Sequence, residues 1–167
     1  MENVIFLDID GVLNHGFPET QNTEIRDDGM IEKDKVELLS RLVKSTGAKL
    51  VLHSGWRFWF DESMKPCGGY AQILAAALEG QGMTLYDKTP DLTTPEIRRT
   101  KRFSRVKAQE ILLWAERHEP DNWVVLDDLP LGDAQVEAHQ VRTDAAVGLT
   151  WDDVRKAEKL LTGGEGA

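Results

Sequence analysis

Only one cysteine, Cys67, occurs among the 167 residues. A single cysteine cannot form an intramolecular disulfide, and no group of cysteines and histidines has zinc-ligand spacing. No apolar run approaches the roughly 20 residues that a membrane-spanning helix needs. The sequence therefore argues against a disulfide scaffold, a zinc site and a membrane partner, and predicts a protein of the reducing cytoplasm.

Positive charge is also scarce, since 20 Lys and Arg face 29 Asp and Glu and the formal net charge is -9. This acidic balance favours solubility and argues against a general nucleic-acid-binding surface. A local basic patch can still exist within an acidic protein. Global charge therefore does not decide the partner.

The sequence does contain enough apolar residues, 41% of the total, for one sizeable core. We predict a single domain over residues 1–162 and a disordered tail over 163–167. Strand-like runs at 4–7, 49–53, 83–86, 123–126 and 139–142 alternate with helical patterns at 30–46, 70–79 and 105–118, and a capping box at 150–153 opens a last helix. This alternation predicts a doubly wound α/β fold, with a parallel sheet of about five strands flanked by helices.

Polar residues follow three of the predicted strands. In "VIFLDIDGVLN", residues 4–14, a buried strand ends at Asp8 and Asp10; Ser54 follows the second strand, and Asp127 and Asp128 follow the fourth. The carboxyl ends of parallel strands share one edge of the sheet, where ligands bind. Converging carboxylates repel one another unless a cation is bound, and oxygen ligands without histidine or thiolate suit Mg²⁺. We therefore predict a magnesium site at this edge.

Four motifs in order, "FLDIDGVLN", "VLHSGWR", the lysine of "SRVKAQEI" and "VVLDD", resemble those of the haloacid dehalogenase (HAD) superfamily. Most members of this superfamily are phosphohydrolases. "EILLWAERH" and "VRTDAAVGLTWDDV" further resemble the small HAD domain of Swiss-army-knife RNA repair proteins, over residues 3–158. The resemblance implies a HAD-type Rossmann-like fold. The segments where relatives insert a cap domain are too short here to bury a core, so we expect no separate cap and an open site.

The resemblance also implies the role of each site residue. Asp8 is the expected nucleophile, which forms an aspartyl-phosphate, and Asp10 is the expected general acid and then base. The expected Mg²⁺ ligands are Asp8, the backbone carbonyl of Asp10, Asp127 and Asp128. Ser54 and Lys107 complete the predicted catalytic set as phosphoryl-binding groups.

Predicted substrate contacts extend beyond these groups. Gly11 permits the turn after the first motif, and "IRRTKRFSRVK", residues 97–107, concentrates positive charge next to the motif lysine. This basic run either attracts phosphates beyond the scissile one or is a solvated loop and helix start. The predicted substrate-binding residues are Gly11, Ser54, Gly55, Arg57, Lys107, Arg98 and Arg102.

Each motif residue has a structural alternative. Asp127 and Asp128 suit a solvated turn, Ser54 a strand-end cap and Lys107 an exposed helical position. His53, Trp56 and Trp151 are interpreted as packing residues, so they are left out of the predicted site.

The motifs and the resemblance leave three alternative functions open. The first is a Mg²⁺-dependent phosphomonoesterase that removes terminal phosphates from RNA or DNA in RNA repair. The second keeps the chemistry but acts on a nucleotide or sugar phosphate. The third is a non-catalytic phosphate-binding module, whose signature would be loss of Asp8 or Asp10; both are present.

Overall fold

Short runs rich in Val, Ile and Leu form five strands, which pair in one parallel sheet in the computed structural model. The structure describes residues 2–15, 31–100 and 103–163. The strands are β1 Asn3–Leu7, β2 Lys49–Leu52, β3 Leu85–Lys88, β4 Asn122–Asp127 and β5 Gln140–Arg142.

Helical segments connect these strands. They are α1 Lys33–Thr46, α2 Gly69–Glu79, α3 Pro95–Thr100, α4 Phe103–His118, α5 Ala134–Glu137 and α6 Trp151–Leu161, with a 3-10 helix at Gly55–Trp59 after β2. The predicted capping box opens α6: the Thr150 hydroxyl accepts from the Asp153 amide, and the Asp153 carboxylate accepts from the Thr150 amide. The predicted doubly wound α/β fold is confirmed.

The strand order is β3-β2-β1-β4-β5. From β1 the chain winds outward through β2 and β3, and then returns to add β4 on the other side of β1. The order therefore reverses between β1 and β4, and a ligand site in such a sheet lies beyond the carboxyl ends of those two strands. Asp8 directly follows β1, and Asp127 is the last residue of β4.

Both faces of the sheet are covered by helices, because successive side chains of each strand point to opposite faces. Ile5 and Leu7 pack in a core with α1, α2 and α6. Val4 and Phe6 pack on the other face, in a second core with α4 and α5. Such two-sided burial explains why residues 4–7 of β1 and 123–126 of β4 are continuously apolar.

The third strand lies two residues beyond its predicted position of 83–86. Met83 is buried, but its amide donates to the Leu78 carbonyl at the end of α2. Met83 therefore belongs to the connection that ends α2, and pairing of β3 with β2 begins at Leu85. The short helices α3 and α5 were not predicted, since four to six residues give too little periodicity.

Parts of the predicted organisation lie outside the described residues, namely most of the irregular loop after β1 and of the tail at 163–167. Between β3 and α4, the described residues contain only α3, with no additional sheet or domain. Within the described ranges, no helix combines the length and apolarity required to cross a membrane.

Candidate active site

Three carboxylates meet where the strand order reverses. Asp8, Asp127 and Asp128 each place an oxygen within 4.8 Å of the others. The Asp8 amide extends the pairing of β1 and β4 by donating to the Leu126 carbonyl at 3.0 Å. Asp8 and Asp127 are both buried. The sheet itself therefore brings the first and fourth motifs together, as the sequence predicts.

Lys107 is the cation that faces this carboxylate cluster. Its Nζ lies 3.0 Å from Asp127 Oδ2 and 3.7 Å from Asp8 Oδ1. Burial acts to lower the pKa of Lys107, but the charges of Asp8 and Asp127 outweigh it, and the net shift is upward. The side chain is therefore a fixed positive charge, and not an exposed helical lysine.

One lysine does not neutralise three carboxylates. Burial raises the pKa of Asp8 well above its usual value, and the charges of Asp127 and Asp128 add to this shift against the opposing effect of Lys107. Burial and Asp127 likewise raise the pKa of Asp128. A cluster of oxygen ligands with excess negative charge fits a hard divalent cation, and Mg²⁺ typically takes one or two carboxylates plus substrate phosphate.

Asp10 lies apart from the cluster, on the turn that follows β1. Its carboxylate accepts from Asn14 Nδ2 at 3.1 Å and from the indole Nε1 of Trp56 at 3.3 Å. Two donors on different segments thus fix the orientation of this exposed carboxylate. The predicted metal contact of Asp10 goes through its backbone carbonyl and stays a prediction. Asn14 and Trp56 were not predicted as site residues, because their contacts depend on the turn geometry.

Gly11 has a backbone conformation and a neighbour that both require glycine. Its φ is +83°, and a Cβ added there would lie 2.6 Å from Asp128 Cγ. The turn is held by the Asn14 side chain, which accepts from the Gly11 amide at 2.8 Å, and by the Thr143 hydroxyl, which donates to the Gly11 carbonyl at 2.7 Å. Gly11 therefore leaves room for Asp128 to face the cluster.

We expect Gly11→Ala to impair Mg²⁺ binding at least about tenfold, since the new methyl group must displace the Asp128 carboxylate. The measurement is the rise in Tm on Mg²⁺ titration. Gly47→Ala is the matched control: its φ is +67° and nothing lies within 4 Å of an added Cβ. Both variants carry about 1–2 kcal/mol of backbone strain. An equal Mg²⁺ response in the two variants would contradict the role assigned to Gly11.

Ser54 ends the connection from β2 and caps the following 3-10 helix. Its Oγ accepts from the Trp56 amide at 3.1 Å. The structural alternative, a cap, therefore describes one function of this hydroxyl. The cap uses an acceptor lone pair and leaves the hydroxyl proton available, so the predicted donation from Ser54 to a phosphoryl oxygen stays a prediction. Gly55 begins the 3-10 helix and lines a cavity beside Lys107.

Arg57 is held by contacts within the protein, and the phosphate contact predicted for it stays a prediction. Its guanidinium donates to the carbonyls of His53 and Ser54 at 3.2 and 3.1 Å, and to Glu110 Oε2 at 2.8 Å. Arg57 is buried, with 4% of its surface exposed, and so is Glu110, with 1%. These contacts hold the turn after β2 against α4. Glu110 was not predicted; the available signal was a carboxylate one helical turn after Lys107, among the apolar positions of α4.

The basic run is only partly described. Arg98 lies on α3, pairs with Asp91 at 3.1 Å and remains largely exposed. It also lines the cavity beside Lys107. Arg102 lies outside the described residues. The predicted contacts of this run with substrate phosphates stay predictions.

His53 is buried directly beside the cluster, with Nε2 3.5 Å from Asp127 Oδ2. Burial lowers the pKa of His53 to about 3, so the ring is neutral. Trp56 is largely buried and packs edge-on against Trp59 and Tyr70. Trp151 is exposed on α6, beneath the guanidinium of Arg41. The two tryptophans thus occupy packing positions, and Trp56 adds its hydrogen bond to Asp10.

A carboxylate cluster at the switch point of a doubly wound sheet, faced by a lysine from the third motif, defines the class of HAD-type phosphatases. The chain belongs to the family described as "HAD domain in Swiss Army Knife RNA repair proteins", whose model matches residues 4–154. The predicted superfamily is thereby confirmed. No curated protein matches the chain.

A solved structure shares the fold. It is the "D,D-heptose 1.7-bisphosphate phosphatase from B. bronchiseptica complexed with magnesium and phosphate", with a TM-score of 0.57 and 16% sequence identity. The similarity covers 98% of this chain and 99% of the other. Similarity at this level of identity establishes the fold, and the activity of this chain is argued from its own residues.

Proposed function

We propose that the chain is a Mg²⁺-dependent phosphomonoesterase that acts through an aspartyl-phosphate and removes terminal phosphates from nucleic acid. The observation that carries this proposal is the cluster of buried Asp8 and Asp127 with partly buried Asp128, in which Lys107 contacts the first two. Membership of a family of HAD domains in RNA repair proteins supports the choice of nucleic acid.

The metal ligands would be the carboxylates of Asp8, Asp127 and Asp128 and the backbone carbonyl of Asp10. Bound there, Mg²⁺ would offset the charge of an incoming phosphate and stabilise the negative charge of the transition state. The raised pKa values of Asp8 and Asp128 support this assignment, because they mark negative charge that Lys107 alone does not offset.

In the first step, an oxygen of Asp8 forms a bond to phosphorus while the ester P–O bond breaks. The departing oxygen takes a proton from Asp10. Lys107 would stabilise both the nucleophile and the charge on the phosphoryl oxygens; its Nζ, 3.7 Å from Asp8 Oδ1 and 3.0 Å from Asp127 Oδ2, supports this role. The contacts of Asp10 with Trp56 and Asn14 keep its carboxylate separate from the nucleophile.

In the second step, Asp10 accepts a proton from water, and the resulting hydroxide attacks the phosphorus of the aspartyl-phosphate. The bond between phosphorus and Asp8 breaks, which releases inorganic phosphate and restores the carboxylate. Asp10 thus serves first as the general acid and then as the general base. Both roles suit a carboxylate that lies outside the buried cluster. The exposed position of Asp10 supports this role.

A small phosphate ester is the second candidate substrate. The structural neighbour is a sugar-bisphosphate phosphatase by its name, and its fold is shared across the whole chain. The described connection between β3 and α4 contains no cap domain that would enclose a small molecule. An open site accommodates a larger substrate as well as a small one, and the family match supports the choice of nucleic acid. A non-catalytic phosphate-binding module is disfavoured because both Asp8 and Asp10 are present.

The direct test is phosphate release, with Mg²⁺ or with chelator, from an aryl phosphate, nucleotides, sugar phosphates and oligonucleotides phosphorylated at either end. We expect rapid release from oligonucleotides and loss of at least about 10²-fold with chelator, because the carboxylates would repel the phosphate. Mg²⁺ added back to the chelated enzyme is the control. Release confined to sugar phosphates would instead select the second candidate.

A further inference from the structure

A cavity of about 440 Å³ adjoins the carboxylate cluster on the α4 side of the sheet. Its volume is within the range of about 300–1,000 Å³ found for small-molecule sites. Lys107 and Gly55 line the cavity and are also part of the predicted phosphate site. Leu129 also connects the cavity to the carboxylate cluster, since it lines the cavity and its amide donates to Asp127 Oδ1 at 3.0 Å. A group in the cavity would therefore lie next to a phosphate bound at Asp8.

One face of α4 forms a wall of this cavity. Phe103, Val106, Lys107 and Glu110 line it, at the spacing i, i+3, i+4 and i+7 that places residues on one side of a helix. This face thus brings apolar contacts directly next to the lysine that faces the nucleophile. The helix that positions the catalytic cation also shapes the neighbouring cavity.

Large apolar side chains remain exposed around the cavity. Phe58, Phe103 and Leu129 are 56%, 40% and 40% exposed, although they come from three separate segments of the chain. The fold therefore brings these side chains together beside the carboxylate cluster without burying them. Exposed apolar groups that cluster in this way mark a binding surface.

We propose that the cavity holds the base of the nucleotide that carries the scissile phosphate; this inference rests on the proposed function and specifies its substrate. Aromatic side chains bind a base through stacking, which tolerates any sequence because every base has a planar face. Arg98 lines the same cavity; it pairs with Asp91 at 3.1 Å but remains largely exposed, so a nucleic-acid phosphate could compete for its guanidinium. The exposed surface of the cavity is mostly apolar, so a sugar would place most of its hydroxyl groups against carbon atoms, at a cost in affinity.

The test compares two phosphorylated oligonucleotides that differ only at the terminal nucleotide, which is either base-bearing or abasic. We expect the wild-type chain to have a kcat/KM about tenfold higher for the base-bearing end, as stacking on an aromatic side chain predicts. Phe103→Ala and Phe58→Ala should each reduce this ratio severalfold. Phe103 is 40% exposed, so its truncation should leave Tm nearly unchanged; the Phe58 ring also lies 4.5 Å from the guanidinium of Arg57, so Phe58→Ala is expected to lower Tm slightly.

Trp151→Ala is the matched control, because Trp151 is an exposed aromatic residue on α6, the helix that covers the other face of the sheet. It should keep the full preference for a base. The kcat/KM for a mononucleotide, compared with that for ribose 5-phosphate, tests whether the base of a free nucleotide gives the same preference. As a second readout, the Asp8→Asn chain with Mg²⁺ should bind the base-bearing oligonucleotide more tightly than the abasic one.

The outcomes separate the two proposals. If no phosphate ester is hydrolysed, the proposed function fails. If the chain hydrolyses both ends equally, or if both phenylalanine variants keep the wild-type ratio, the phosphatase stands and the base site is overturned. Hydrolysis of a phosphoserine peptide in preference to either oligonucleotide would also overturn the base site, because the cavity would then accept a peptide.

Discussion

Replacing Asp8 with asparagine should lower kcat on every phosphate ester by on the order of 10³-fold or more. The amide is a poor nucleophile, so the aspartyl-phosphate cannot form and the two-step route is lost. The measurement is phosphate release under saturating substrate and Mg²⁺. Asp152→Asn is the control, since Asp152 is an exposed carboxylate on α6 that pairs only with Lys156 among the described residues. Full activity in Asp8→Asn would rule out the proposed nucleophile.

The same substitution should not unfold the chain. Burial and two neighbouring carboxylates raise the pKa of Asp8, so the ionised group is disfavoured in the folded protein without metal. A neutral amide of nearly the same shape removes that repulsion. We therefore expect the Tm of Asp8→Asn in chelator to equal or exceed that of the wild type. A large fall in Tm would mean that lost activity reflects lost structure.

The strands that carry the site were predictable because their signal is local. Val4 to Leu7 and Trp123 to Leu126 are short apolar runs that end in aspartate, and both form parallel strands in the centre of the sheet. The strand order was not predictable in the same way, since it depends on packing between distant segments. The predicted position of β3 was wrong by two residues, because the apolar residue Met83 belongs to the connection that ends α2.

In the candidate site, too, some contacts could be predicted from the sequence and others could not. That Asp8 would meet Asp127 and Asp128 follows from parallel strands whose carboxyl ends share an edge. The partners of Asp10 and Arg57 do not follow, because Trp56 and Glu110 come from other segments and carry no motif of their own. The cavity beside Lys107 is harder still to predict from sequence, because its lining residues come from separate segments of the chain and share no motif.

Glu110→Ala should destabilise the chain by about 3–5 kcal/mol, because it leaves the buried guanidinium of Arg57 without its counter-charge. Glu110 Oε2 accepts from Arg57 Nη2 at 2.8 Å and from the Leu92 amide at 2.9 Å. One substitution thus removes the contacts that join α4 to two separate connections. The free energy of unfolding in urea measures the loss. A loss below about 1 kcal/mol would show that the pair is solvated and weak.

The double variant Arg57→Met, Glu110→Leu separates stability from positioning. Replacing both charges with apolar groups of similar size removes the unpaired ion, so much of the lost stability should return. Arg57 also holds the carbonyls of His53 and Ser54, and those two contacts do not return. If the pair positions the phosphate-binding turn, KM for phosphate esters should stay raised severalfold in a stable protein. Full recovery of both stability and KM would assign Arg57 and Glu110 to folding alone.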